Sequence, residues 1–279
     1  MTESQHLIIH PEIQRLRDEN ALLREELADL LAEAYDLVHT VRPNLLAIGM
    51  VKVGARALKR FRLKCEVSRL KRKAELIQAC LNRGRWPDLL AVETQLDTEF
   101  RDWEQKLRIE TDRLAAAESR LNHQLSPQAD RELKKLYYGL VKKLHPDLHP
   151  DLTKDQRHLW QRVQDAYKSG NLDKLRALAL VADQSASADD DGPVSIKRLT
   201  AEQQSLHKHI SRLLEEIREI ESCPPLSIRD KLLDDDWVRD HYREVDEENV
   251  ILEIRHGELT ALINNLLKDH PHEPVFGQN

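Results

Sequence analysis

From Ile13 onward, apolar residues return at alternating steps of three and four: Leu16, Leu23, Leu27, Leu30, Ala34, Leu37 and Val41, with Asn20 standing in the same register. This spacing is one face of an α-helix and, over about four heptads, a seam for a second helix. A lone asparagine at an a position pairs with its own copy and sets register. Residues 1–42 are therefore expected to form an N-terminal dimeric coiled coil with Asn20 as the register residue. The flanking charges agree: Glu12 and Glu19 are placed to face Arg17 and Arg24 of a second copy. The alternative is an amphipathic helix folded back on its own chain. Pro43 is expected to end the segment.

Two more pairs of seams follow. In residues 43–125, Leu63, Val67, Leu70, Ala74, Ile77 and Leu81 share a face. Gly84 and Pro87 then mark a break, with Gly84 as C-cap and Pro87 as stop. A long helix from about Asp88 to His123 carries Leu96, Phe100, Trp103, Leu107, Leu114, Ala117 and Leu121, with Trp103 expected in the core. A short turn between seamed helices predicts an antiparallel hairpin. Residues 184–195 are small and acidic and contain Gly-Pro, as a flexible linker does. Residues 196–269 predict a C-terminal hairpin. Leu199, Leu206, Ile210, Leu213 and Ile217 line its first helix; Val238, Tyr242, Val245, Asn249, Leu252, His256, Leu259, Ile263 and Leu266 line its second. His256 is expected there as a packing residue rather than a ligand. Residues 270–279 are expected to be a frayed tail.

Composition fits this picture. The chain is 40% hydrophobic and 33% charged, but only 4% aromatic, and it holds 8 glycines in 279 residues. Long helices need neither aromatics nor turns, so the expected class is all-α, with elongated coiled-coil hairpins. Three widely spaced cysteines form no CxxC pair, so no metal site is indicated; a reducing, cytoplasmic setting is expected, with no membrane span. The net charge is −6, yet residues 52–73 hold ten Lys or Arg against Glu66 alone. Such a run suits counterion release on nucleic acid, the solvated face of a helix, or an acidic partner helix. Phe61 is its only aromatic, which leaves little for base stacking.

Residues 126–183 depart from the heptads and concentrate Tyr137, Tyr138, Trp160 and Tyr167. Leu133, Leu136, Tyr137, Leu140 and Leu144 line one helical face, and Lys134, Lys135, Lys142 and Lys143 lie off it. The helix meets His145-Pro146-Asp147, and a returning helix carries Trp160, Val163, Ala166 and Tyr167. Proline ends the helix and fixes a torsion, so its neighbours are presented on a stiff tip. Asp147 is then a carboxylate suited to a partner's arginine. No nucleophile–base pair or glycine-rich phosphate loop accompanies it, so catalysis and bound cofactors are not expected.

This arrangement resembles the J-domain of DnaJ-like cochaperones, in which a basic helix leads into His-Pro-Asp and a returning helix carries an aromatic, an aliphatic and Ala-Tyr. The match spans about a fifth of the chain: His145, Pro146 and Asp147, then Trp160, Val163, Ala166 and Tyr167, with Tyr137 at the family's tyrosine. Tyr138 and Gly139 stand where the family has two basic residues. No short leading helix is evident, and Leu114–Leu125 is the segment expected in its place. The resemblance implies a non-enzymatic cochaperone that stimulates ATP hydrolysis by a DnaK-type chaperone. His145, Pro146, Asp147, Lys134, Lys135, Lys142 and Lys143 would bind that partner, and the coiled coils would dimerise or recruit a client. The alternatives are a structural scaffold with an inactive hairpin, or nucleic-acid binding through 52–73. A second His149-Pro150-Asp151 lies outside the helix-to-tip register.

Overall fold

The computed structural model describes residues 11–184 and 195–268. The expected 184–195 linker, apart from its end residues, and the expected 270–279 tail lie outside them. The fold is all-α. Helices α1 (Pro11–Asp36), α2 (Arg42–Gly49), α3 (Ala55–Leu81), α4 (Leu89–Asn122), α5 (Pro127–Leu144), α6 (Lys154–Lys168), α7 (Leu172–Gln184), α8 (Ile196–Ser222), α9 (Arg229–Leu233), α10 (Asp235–His241) and α11 (Arg243–Lys268) follow one another, with no strand among the described residues.

Pro43 does not end the first helical stretch. A π-turn, Leu37–Val41, precedes α2, and the Arg42 N–H donates back to the Leu37 carbonyl. Pro43 is thus second in a new α-helical segment, where a missing donor is tolerated. The break after α3 matches its chemistry. Gly84 has φ 66°, its N–H donates to Leu81 O, and the Arg85 N–H donates to Cys80 O. Those two bonds are a Schellman cap. Asp88 Oδ1 then accepts from the Leu90 and Ala91 N–H groups and starts α4.

Two units form, each from separated stretches of chain: residues 1–44 with 123–227, and 45–122 with 228–279. In the first, α8 packs along α1, joining Leu27 and Leu37 to Leu206, Ile210, Leu213 and Ile217. The α1 seam expected to meet a second copy is covered by its own chain. Asn20 is 2% exposed, and its Nδ2 donates to Leu199 O at 3.0 Å, while its Oδ1 has no partner. Arg24 pairs with Glu202, and Glu19 accepts from Gln203 Nε2 at 2.8 Å. The dimer expectation loses the surface on which it rested. Both seams were present in the sequence, but neither carries the name of its mate.

In the second unit α3 lies between α4 and α11. Its contacts with α4 run antiparallel. Those with α11 ascend together, from Arg56–Asp246 to Ile77 and Ile263, so that pair is parallel. The expected α8–α11 hairpin does not form, because each helix buries its seam on a different partner. The last helix is also split at Tyr242, where α10 gives way to α11. Asn249 repeats the Asn20 device: it is 3% exposed and donates to Arg56 O at 3.3 Å. Trp103, expected in the core, is 41% exposed, with its ring stacked on Phe61 at 5.8 Å. His256 is half-buried with Nε2 3.8 Å from Glu66. No helix among the described residues is long and apolar enough to cross a membrane.

Candidate functional site

Ser126 caps α5 by accepting from the Ala129 N–H, and Pro127 occupies the first turn. Thr153 and Gln156 close a capping box at the start of α6. At its end, Gly170 has φ 65°, and its N–H and that of Asn171 donate to Tyr167 O and Ala166 O, a second Schellman cap. These local signals build a hairpin of α5 and α6, closed by α7.

The hairpin interior is aromatic. Tyr137 stacks on Tyr167 at 4.0 Å and faces Trp160 at 5.8 Å between ring centroids. Leu133, Leu140, Leu144, Trp160, Val163 and Ala166 are buried around them, and Leu136 is half-buried against the same cluster. Burial raises the phenol pKa values of both Tyr137 and Tyr167. The sequence reading missed two contributors. From α7 come Leu175, Leu178 and Ala182, whose three–four spacing was legible. From α1 come Ala28, Ala32, Tyr35 and Asp36. Ala28, Ala32 and Tyr35 form a second helical stripe beside the heptad seam, whereas Asp36 gave no sequence signal. Asp36 is 8% exposed; it accepts from the Tyr167 hydroxyl at 2.7 Å and lies 3.1 Å from Lys134 Nζ. The helix packed on the hairpin is thus α1, not Leu114–Leu125.

The tip is set by hydrogen bonds rather than by proline alone. His145 leaves the helix with ψ 130°, and its N–H still donates to Val141 O. The Asp147 N–H donates to His145 Nδ1 at 3.1 Å, which requires a ring unprotonated at Nδ1. The imidazole stands edge-on to Trp160 at 5.2 Å. Burial lowers its pKa below the ordinary histidine value; Asp147 opposes this and His149 adds to it. Leu148 tucks against the core, while Pro146 and Asp147 are exposed. Asp147 has no ion pair among the described residues. The second His-Pro-Asp acquires a structural role, with His149 Nε2 2.6 Å from Lys142 O, one of the carbonyls left open at the end of α5.

The four lysines are unequal. Lys134 is half-buried: burial lowers its pKa, but Asp36 and Asp130 outweigh that and hold it above the ordinary value. Lys142 lies 3.6 and 3.8 Å from Glu25 and Asp29 of α1, and Lys143 pairs with Asp183 of α7. Lys135 is exposed with no carboxylate partner among the described residues. Gly139 adds open space, for a β-carbon built there would meet nothing within 4 Å.

The basic run of α3 is arranged differently. Lys52, just ahead of α3, and Arg56, Lys59, Arg60 and Lys64 within it pair with Asp235, Asp246, Glu253 and Glu248, from α10 and α11. Arg69, Arg72 and Lys73 pair with Glu93, Asp97, Glu99 and Glu104 of α4. Only Arg62 and Lys71 of the ten lack a carboxylate partner among the described residues. The run faces acidic helices on both flanks.

Comparison with models of known protein families gave no match, and comparisons with curated proteins and with solved structures gave none either.

Proposed function

We propose that the chain is a J-domain-type cochaperone whose His145-Pro146-Asp147 tip stimulates ATP hydrolysis by a DnaK-type chaperone. One observation carries this reading. An exposed, unpaired Asp147 carboxylate sits beside a proline at the end of a basic helix, its backbone amide held by His145 and its loop by Trp160 and Leu148. A carboxylate so presented can take a bidentate pair from a partner's arginine without first giving up an internal partner. The nucleotide belongs to the chaperone, and this chain supplies contacts only. A scaffold with an inactive hairpin is the competing reading, favoured by the carboxylates already facing Lys134, Lys142 and Lys143. Nucleic-acid binding draws less support, because most cations of 52–73 are engaged by α4, α10 and α11.

The test is single-turnover ATP hydrolysis by a DnaK-type chaperone with the full chain added. Stimulation is expected, and Asp147→Asn or His145→Gln should remove it with the helical circular dichroism unchanged. Failure of wild type to stimulate any such chaperone from the same cell overturns the proposal and leaves the scaffold.

A further inference from the structure

The ion pairs on the basic face of α5 are of two kinds. Lys134 is tied to Asp36, a carboxylate that also holds Tyr167 inside the core, so this pair is part of the fold. Lys142 is different. Its partners Glu25 and Asp29 sit on the outer side of α1, with side chains 64% and 60% exposed. Both distances exceed an ordinary hydrogen bond, so these are loose, screened pairs. Beside them Asp29, Lys135, Tyr138, Gly139 and Lys142 line a shallow groove between α1 and α5. The absent side chain at Gly139 leaves its floor open.

We infer that Glu25 and Asp29 are a built-in competitor for this face: they occupy on Lys142 the place of a partner's carboxylates, and so set how tightly an acidic partner surface docks in the α1–α5 groove. This rests on the cochaperone reading and adds to it a regulation from within the chain. The core contacts of α1 lie on other residues, so an incoming acidic surface displaces two side chains and leaves the helix in place. Lys135 remains open for first contact.

The inference is tested with the full chain, by the concentration that gives half-maximal ATPase stimulation of a DnaK-type chaperone. The paired change Glu25→Gln with Asp29→Asn should lower that concentration about 2- to 5-fold near 0.05 M salt, the range expected for releasing weak surface pairs. The gain should vanish near 0.5 M salt and in a Lys142→Gln background. The thermal midpoint should stay put, because both carboxylates are exposed. Stimulation by wild type with no gain in the variant overturns the inference and spares the cochaperone reading. The same gain without Lys142 also overturns it, as an effect of net charge. No stimulation by wild type or variant overturns the cochaperone reading, and the inference with it.

Discussion

Two basic helices, α3 and α5, show how one sequence cue acquires two meanings. In α3 most of the cations pair with acidic helices on both flanks, Arg62 and Lys71 excepted, and the core beneath is aliphatic, with Ala74, Ile77 and Ile263 at its centre. In α5 the lysines border a core of Tyr137, Trp160 and Tyr167, and one helix end breaks into an exposed carboxylate. Most basic residues of α3 join helices of the same chain. Those of α5 leave one lysine open and one loosely held. What separates them is not charge density but what the neighbouring helices bring to it.

That contrast is testable, and the largest effect lies in the hairpin core. Tyr137→Ala should cost about 3–5 kcal/mol, since it opens a cavity under Trp160 and Tyr167 and removes the stack. Amide exchange in α5 and α6 should quicken sharply while the α3 amides hold. Equal loss in both helices would erase the distinction drawn between them.

Salt should act the other way round. Raising ionic strength from about 0.05 to 0.5 M should weaken protection of α3 and α4 amides by about 1–2 kcal/mol, from several exposed pairs worth a few tenths each. The α5 amides, held by aromatic burial, should change less. A larger salt effect on α5 would mean that its lysine pairs matter more than its core.

The smallest effect is at the tip. The folded pKa of His145 lies below that of the unfolded chain, so the folded tip binds fewer protons in the window near and below the ordinary histidine value of about 6.5. Tip stability should therefore rise with pH through that window and fall on acidification. Protonation also removes the Nδ1 acceptor for the Asp147 N–H. Exchange of the Asp147 amide should accelerate as pH drops from 7 towards 5, beyond the intrinsic trend, while the α3 amides show no such step. Protection that increases on acidification would contradict the neutral ring.

Much of the helix inventory was readable. The α3–α4 break showed in Gly84 and Pro87, because a left-handed cap residue and a stop are local chemistry. The hairpin core from Leu133 to Tyr167 showed too, because helical spacing and aromatic placement are local. Pro43 misled, since a π-turn before it re-started the hydrogen-bond ladder. Trp103 misled because a seam position is buried only where a second helix covers it fully. Asp36 could not be found at all: its value lies in Tyr167 and Lys134, more than ninety residues away.

Periodicity, caps and breakers act over a few residues, and so the sequence alone determined the all-α class, the break between α3 and α4 and the end of α5 at His-Pro-Asp. Pairing was beyond its reach. The α1 seam could equally have faced a copy of itself, and the α8 seam could have faced α11. Apolar stripes of equal spacing are interchangeable to the hydrophobic effect, which has no direction. Tertiary structure chose among them by details that only meet in space: Asn20 on the Leu199 carbonyl, Asn249 on that of Arg56, and acidic helices on both sides of α3. It also decided which lysines of α5 are spoken for, because that depends on which carboxylates α1 and α7 bring alongside.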